Sequence, residues 1–214
     1  MTSSPVVRAV SRLRRMVGKD DVVDPRLPAA YAVGNLTWRS LALARGLVRT
    51  RSKVFLGRRV RLQGRAGLTL GPFCTLDDDV VVQAYAERGV SIGANTKLGA
   101  GTRVFSTAHP SRLGVGVVIG NRSSLGEWSY VGAAGGVFVG DDVIGGQYVS
   151  FHSQNHRYDD LDQPIRTQGT DEAPIHVADD VWIGAKATFL AGAIVGSHSV
   201  VAAGAVVAGE FGPN

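Results

Sequence analysis

Residues 177–207 read VADDVWIGAKATFLAGAIVGSHSVVAAGAVV, and in that stretch Val177, Ile183, Phe189, Val195, Val201 and Val207 recur six positions apart. Four places after each of the first five stands a small or β-branched residue: Val181, Ala187, Ala193, Ser199 and Ala205. A period of six matches neither the 3.6-residue α-helix nor the two-residue alternation of an antiparallel strand. It suits a chain wound into a triangular coil. Each hexad then forms one side with its first residue pointing inward, and three hexads, roughly 18 residues, complete a turn that pairs with the turns above and below. Glycine after many inward residues, and small residues at the fifth position, are expected to let the corners close. Ordinary sandwich strands with glycine turns would not hold one six-residue phase over so long a stretch.

Upstream the same texture continues in shorter series: Leu56, Leu62, Leu68; Leu70, Leu76, Val82; Ile92, Leu98, Val104; Ile119, Leu125, Val131; and Val139, Gly145, Phe151. Residues 106–116 and 155–174 interrupt the phase, and long loops ejected from a regular solenoid usually serve function. Before Val54 the pattern is different. Leu36, Leu41, Leu43, Leu47 and Val48 have helical spacing after the turn-like Asp24-Pro25-Arg26-Leu27-Pro28. The expected organisation is therefore a basic segment of short helices and linker over 1–53, followed by an all-β coil over 54–214.

At 214 residues, 44% hydrophobic and 19% charged, the chain suits one globular domain with an appendage. Its 28 glycines follow no Gly-X-Y register, which excludes collagen. The single cysteine, Cys74, permits neither an internal disulfide nor a cysteine metal cage, so a reducing cytoplasm is the expected compartment. No uncharged apolar run is long enough for a membrane span or a secretion signal. Charge is divided: residues 1–65 hold 15 Lys/Arg and 3 Asp, whereas residues 66–214 hold 8 Lys/Arg and 15 Asp/Glu. The basic part has no aromatic interleaving, zinc spacing or RNA-binding signature, so no nucleic-acid partner is expected. Val10, Leu13, Met16 and Val17 at helical spacing among Arg8, Arg12, Arg14 and Arg15 suit peripheral contact with the inner face of an anionic membrane. A helix packed on its own domain is the alternative.

Over about residues 54–214 the hexads resemble those of the hexapeptide-repeat acyltransferases, which implies a left-handed parallel β-helix. The hand comes from the resemblance, since general crossover preferences are right-handed. Phe151-His152-Ser153-Gln154-Asn155-His156-Arg157-Tyr158-Asp159-Asp160, followed by Gln163 to Gly169, is similar to the acceptor loop of the sugar and exopolysaccharide O-acetyltransferase and xenobiotic acetyltransferase branch. There an Asn-His pair, here Asn155 and His156, introduces the catalytic histidine. Val181-Trp182-Ile183-Gly184-Ala185 is similar to the Val-Trp-Ile-Gly segment of that branch. The implied reaction moves an acetyl group from acetyl-CoA to a hydroxyl of a sugar or glycan precursor. An alcohol is a poor nucleophile until a base takes its proton, and histidine, with an unperturbed pKa near 6.5, is the side chain suited to that work. His156 is thus the expected base in a direct attack; Cys74 lies far upstream and no Gly-X-Ser-X-Gly elbow is present, so no acyl-enzyme is expected.

Ser124, Trp128, His152 and Tyr158 are the expected acceptor contacts, and Asp159 or Asp160 could orient the imidazole. The resemblance places the CoA arm along Trp182, Gly184, Ala185, Ala203, Gly204, Ala208 and Gly209, between subunits of a homotrimer, with the Ala185 amide as oxyanion donor. No metal is expected. Ser124 and Gly126 stand where galactoside and maltose acetyltransferases have Tyr and Asn, so a different acceptor is expected, with Glu127, Trp128 and Tyr130 as its candidate contacts. The chain stops at Phe211-Gly212-Pro213-Asn214 where relatives continue through a strand, a basic segment and often a helix; Ala208 and Gly209 replace a frequent Thr-Lys. Weaker acetyl-CoA binding and an uncovered last coil are the expectations. Two other classes share the coil. A γ-carbonic-anhydrase-type zinc enzyme would use three histidines, for which His109, His152 and His156 could be nominated, although His-x3-His here differs from that family's His-x4-His. The other is a non-catalytic scaffold.

Overall fold

The computed structural model describes residues 24, 26–107, 109 and 111–214; the stretch Val10 to Val17 discussed above lies outside them. Helix α1 (Ala29–Thr50) is one continuous element of 22 residues, not the several short helices expected. Pro28 precedes its first turn and no proline follows, so only Gly34 and Gly46 oppose a continuous helix, at about 1 kcal/mol each. It ends at Arg51, whose left-handed backbone donates its N–H to Leu47 O.

Seven coils follow. The first is β1 (Phe55–Leu56), β2 (Arg61–Gln63) and β3 (Leu68–Leu70); the second β4 (Thr75–Leu76), β5 (Val81–Gln83) and β6 (Val90–Ile92). The third is β7 (Lys97–Leu98), β8 (Arg103–Phe105) and β9 (Val117–Ile119); the fourth β10 (Ser124–Leu125), β11 (Tyr130–Gly132) and β12 (Val137–Val139). In the fifth, β13 (Ile144–Gly145) and β14 (Ser150–His152) are parted from β17 (Ile175–Val177) by a hairpin of β15 (Gln154–His156) and β16 (Thr170–Glu172). The sixth is β18 (Trp182–Ile183), β19 (Thr188–Leu190) and β20 (Ile194–Val195); the seventh β21 (Val200–Val201), β22 (Val206–Val207) and β23 (Glu210–Phe211). First, second and third strands of the coils stack into three seven-stranded parallel sheets, the triangular coil expected from the hexads and the left-handed β-helix implied by the resemblance. Without an ejected loop a coil closes in 18 residues, as Trp182 beside Val200 shows.

The inward hexad residues form one buried column from Leu56 to Val207, in which the Phe151 and Phe189 rings stack at 4.7 Å. Glycine after an inward residue serves close approach rather than a bent corner. A Cβ on Gly184 would stand 2.4 Å from Ala203 N, and one on Gly57 2.4 Å from Asp78 N. The left-handed corner positions fall elsewhere, and two corners fill them with larger residues. Arg59, Asp79, Trp128, Tyr148 and Lys186 do so between the first and second sheets, and Asn95, Arg122, Asp142, Asp180 and His198 between the third and first. Such a backbone costs roughly 1–2 kcal/mol without glycine. Contacts between successive coils help offset it: Arg59 pairs with Asp79 at 2.6 Å, Arg122 with Asp142 at 2.5 Å, and His198 with Asp180 at 2.7 Å.

Helix α1 closes the open end of the first coil. In the second coil Leu76 O and Val80 O accept N–H bonds from Gly57 and Arg61 beneath. The equivalent carbonyls of the first coil, Leu56 O and Val60 O, have no coil beneath them and accept instead from Arg45 Nε at 2.7 Å and Arg49 Nη2 at 2.9 Å. Gly46 lets the helix descend: a Cβ there would lie 1.9 Å from Val54 O.

Candidate active site

Every interruption of the coil leaves by the corner between the second and third sheets. Residues 84–89, 106–116 and 153–174 emerge there from the second, third and fifth coils, while the fourth makes only the short corner 133–136. The first two loops are laced together by backbone bonds from Glu87 N to Gly114 O and from Arg88 N to Val115 O. Arg112 of the second loop reaches Glu172 on the hairpin at 3.3 Å, and Gln154 donates to Thr170 Oγ1 at 2.9 Å and to Glu172 Oε1 at 3.4 Å. Ser153, wholly buried, fixes the hairpin's exit: its hydroxyl accepts from Gly135 N and donates to Gly132 O, both at 2.9 Å.

Between these loops and the outer face of the second sheet lies a cleft of about 290 Å3. Phe105, Tyr130, His152, Gln154 and Thr107 supply its larger side chains, and among the described residues no Asp, Glu, Lys or Arg lines it. Phe105, Gly132 and His152 are register partners on adjacent strands, so their side-chain positions face outward in one row. Tyr130 lies along the space that Gly132 leaves, stacked on His152 at 5.5 Å between ring centroids and 6.1 Å from Phe105.

Asn155 and His156 lie on β15, exposed and paired in register with Asp171 and Thr170, and the His156 ring has no hydrogen-bond partner among the described residues. Neither nominated acid orients it. Asp160 instead holds the loop, accepting from Asp162 N at 3.0 Å and Gln163 Nε2 at 2.8 Å, and Asp159 accepts from Tyr158 N at 3.3 Å. The hairpin is braced by Arg157, which pairs with Asp171 at 2.6 Å; that hydrogen bond raises the guanidinium's already high pKa. Tyr158 projects into solvent.

The remaining expected residues lie apart from the cleft. Ser124 and Trp182 are outward on the first sheet, in line with Ile144. Trp128 holds the corner between the first and second sheets, its ring over Gly101, and Gly184, Ala185, Ala203 and Gly204 stack at that same corner, Gly204 N donating to Ala185 O at 2.9 Å. The Ala185 N–H meets no acceptor among the described residues. This edge and the hairpin's edge bound the second sheet, whose strands of two or three residues span up to about 10 Å. Ala208 and Gly209 occupy the hairpin's corner two coils further on. Cys74 is buried, which pushes its thiol up to about 12 and removes it as a nucleophile. No group of three His, Cys, Asp or Glu side chains among the described residues is placed to hold a metal ion.

Phe105, Thr107 and Gln154, with the Arg112–Glu172 bridge, were not foreseen. One signal was available: Phe105, Gly132 and His152 each follow an inward residue, Val104, Val131 and Phe151, so aligning the hexads places them in one row.

Residues 174–209 match the family model described as bacterial transferase hexapeptide (six repeats). Over those residues the chain is similar to that repeat, in keeping with the left-handed β-helix described above. It is 28% identical over 176 residues to a Mycobacterium tuberculosis (strain ATCC 25618 / H37Rv) protein named a probable acetyltransferase, Rv3034c; the match covers 81% of this chain and 50% of the relative. A Schizosaccharomyces pombe (strain 972 / ATCC 24843) protein also named as an acetyltransferase is 35% identical over 79 residues, 36% of this chain and 37% of its own length. The chain thus spans about half of the first relative and little over a third of the second. Among solved structures, a variant of AntD, an N-acyltransferase from Bacillus cereus in complex with dTDP and coenzyme A, aligns with TM-score 0.48 at 13% identity, over 74% of this chain and 72% of that one.

Proposed function

We propose that the protein transfers an acetyl group from acetyl-CoA to a hydroxyl of a neutral sugar or glycan precursor on the cytoplasmic side. The observation that carries this reading is an Asn155-His156 hairpin ejected beside an uncharged cleft walled by the Tyr130 and His152 rings. Sugar rings present C–H faces that pack on aromatic rings and edges that hydrogen-bond, which Gln154 and Thr107 can meet. An amine acceptor would enter largely as a cation, and the cleft offers it no carboxylate. The names of the two relatives fit the same class of reaction.

His156 takes the acceptor's hydroxyl proton as its oxygen bonds to the thioester carbonyl carbon. The carbonyl electron pair returns, the C–S bond breaks, and the departing thiolate takes up that proton. The free Ala185 amide is the donor for the transient oxyanion, and the small residues Gly184, Ala203 and Gly204 leave room for the donor's arm. A homotrimer is part of the proposal, checked by light scattering.

The test is thiol release from acetyl-CoA with neutral sugars, amino sugars and nucleotide sugars, comparing the wild type with His156→Ala. Release that depends on a neutral sugar and falls about 10²–10⁴-fold in the variant is expected. Silence in both proteins across the panel would overturn the reading in favour of a scaffold, and equal rates would remove His156 as base.

A further inference from the structure

Helix α1 is amphipathic with its charge turned inward. Arg45 and Arg49 are spent on Leu56 O and Val60 O, and the Arg39 guanidinium sits 4.1 Å above the Phe55 ring. The opposite face carries Val33, Leu36, Leu41, Leu47 and Val48, with Thr37 and Ser40 between them and no charged residue. Val48 is 83% exposed and Leu41 51%. A solvated surface helix turns its polar face outward. Here capping the coil's open carbonyls takes the arginines inward and leaves an uncharged apolar strip uncovered among the described residues.

The charge around this strip selects what covers it. Residues 1–65 hold 15 Lys/Arg against 3 Asp. Just past the helix, Arg51, Lys53 and Arg58 are exposed without an ion-pair partner among the described residues. A second copy docking strip to strip would bring two strongly basic ends together, and a nucleic acid would make no use of the apolar side chains. An anionic lipid surface satisfies both features, accepting the apolar strip at the acyl boundary and the cations at the headgroups. We propose that the outer face of helix α1 seats the protein on an anionic bilayer surface. This surface is distinct from the Val10 to Val17 stretch and independent of the proposed acetyl transfer.

The test is flotation of the full chain with phosphatidylcholine vesicles and with vesicles of equal parts phosphatidylcholine and phosphatidylglycerol. The wild type is compared with a Leu41→Glu, Val48→Glu double variant, whose substituted side chains are exposed. Wild-type protein should float with the anionic vesicles, less so as salt rises, and binding should fall about tenfold or more in the variant. Its thermal midpoint and turnover of a soluble acceptor should stay unchanged. Three results would overturn the proposal. The first is a wild type that floats with neither kind of vesicle, and the second is a variant that floats as well as wild type, which moves the contact to residues 1–23. The third is an oligomer, seen by light scattering without vesicles, that the substitutions dissolve.

Discussion

A Cβ on Gly132 would stand 2.9 Å from Cε1 of Tyr130 and 3.3 Å from its hydroxyl oxygen. Alanine there pushes the phenol ring away from His152 and spoils one wall of the cleft, while the backbone keeps its strand pairing. The expected outcome for Gly132→Ala is a severalfold rise in the acceptor KM with the acetyl-CoA KM unchanged, read from steady-state kinetics, and little change in thermal midpoint. The Asn155-His156 pair was legible in the sequence because a motif carries it. Phe105 and Gln154 were not, because outward hexad positions obey no hydrophobic period and their identity follows from what they face. Trp128 was legible as an exposed aromatic, but its seat over Gly101 follows from the corner geometry.

Helix α1 does for the first coil what each coil does for the one above. Removing either guanidinium leaves a strand carbonyl without its donor. Arg45→Ala and Arg49→Ala should each lose about 1–3 kcal/mol of stability, measured by denaturant unfolding, with the smaller loss wherever water reaches the freed oxygen. The helix's existence was legible from the spacing of Leu36 to Val48, but its length was not. Continuity depends on Gly46 touching Val54 and on arginines reaching carbonyls 11 residues away, contacts that local spacing does not encode. The strands were the opposite case. Inward residues repeat in the sequence because one narrow column repeats in space, so the hexads revealed the coil and its two longest interruptions. That both leave by one corner emerges only when strands are assigned to sheets.

The coils are also tied by charge along their corners. Hydrogen bonds from Arg59 hold the Asp79 carboxyl below the usual carboxylate range, and Arg122 does the same for Asp142. For Asp141 the main cause is the bond from the Asn121 backbone N–H. A carboxylate whose pKa is depressed on folding contributes stability that is fully present above its unfolded value, 3.8 in the reference scale, and is lost as pH falls through the lower folded value. Thermal midpoints should therefore drop as pH is lowered through and below 3.8, and Asp142→Asn should flatten that drop while costing a little stability at neutral pH. A wild type and variant with parallel curves would remove this pair as a source of acid sensitivity. The stack of coils has a further consequence, one of length. Adjacent strands in a sheet lie about 4.8 Å apart, and two whole coils separate helix α1 from the third, where the cleft begins, so roughly 10–15 Å of rigid spacer stands between them. Deleting or adding one uninterrupted coil would shift the cleft by a single strand spacing, close to the span of one sugar ring, making the solenoid a gauge of how far an acceptor must project from whatever holds the helix.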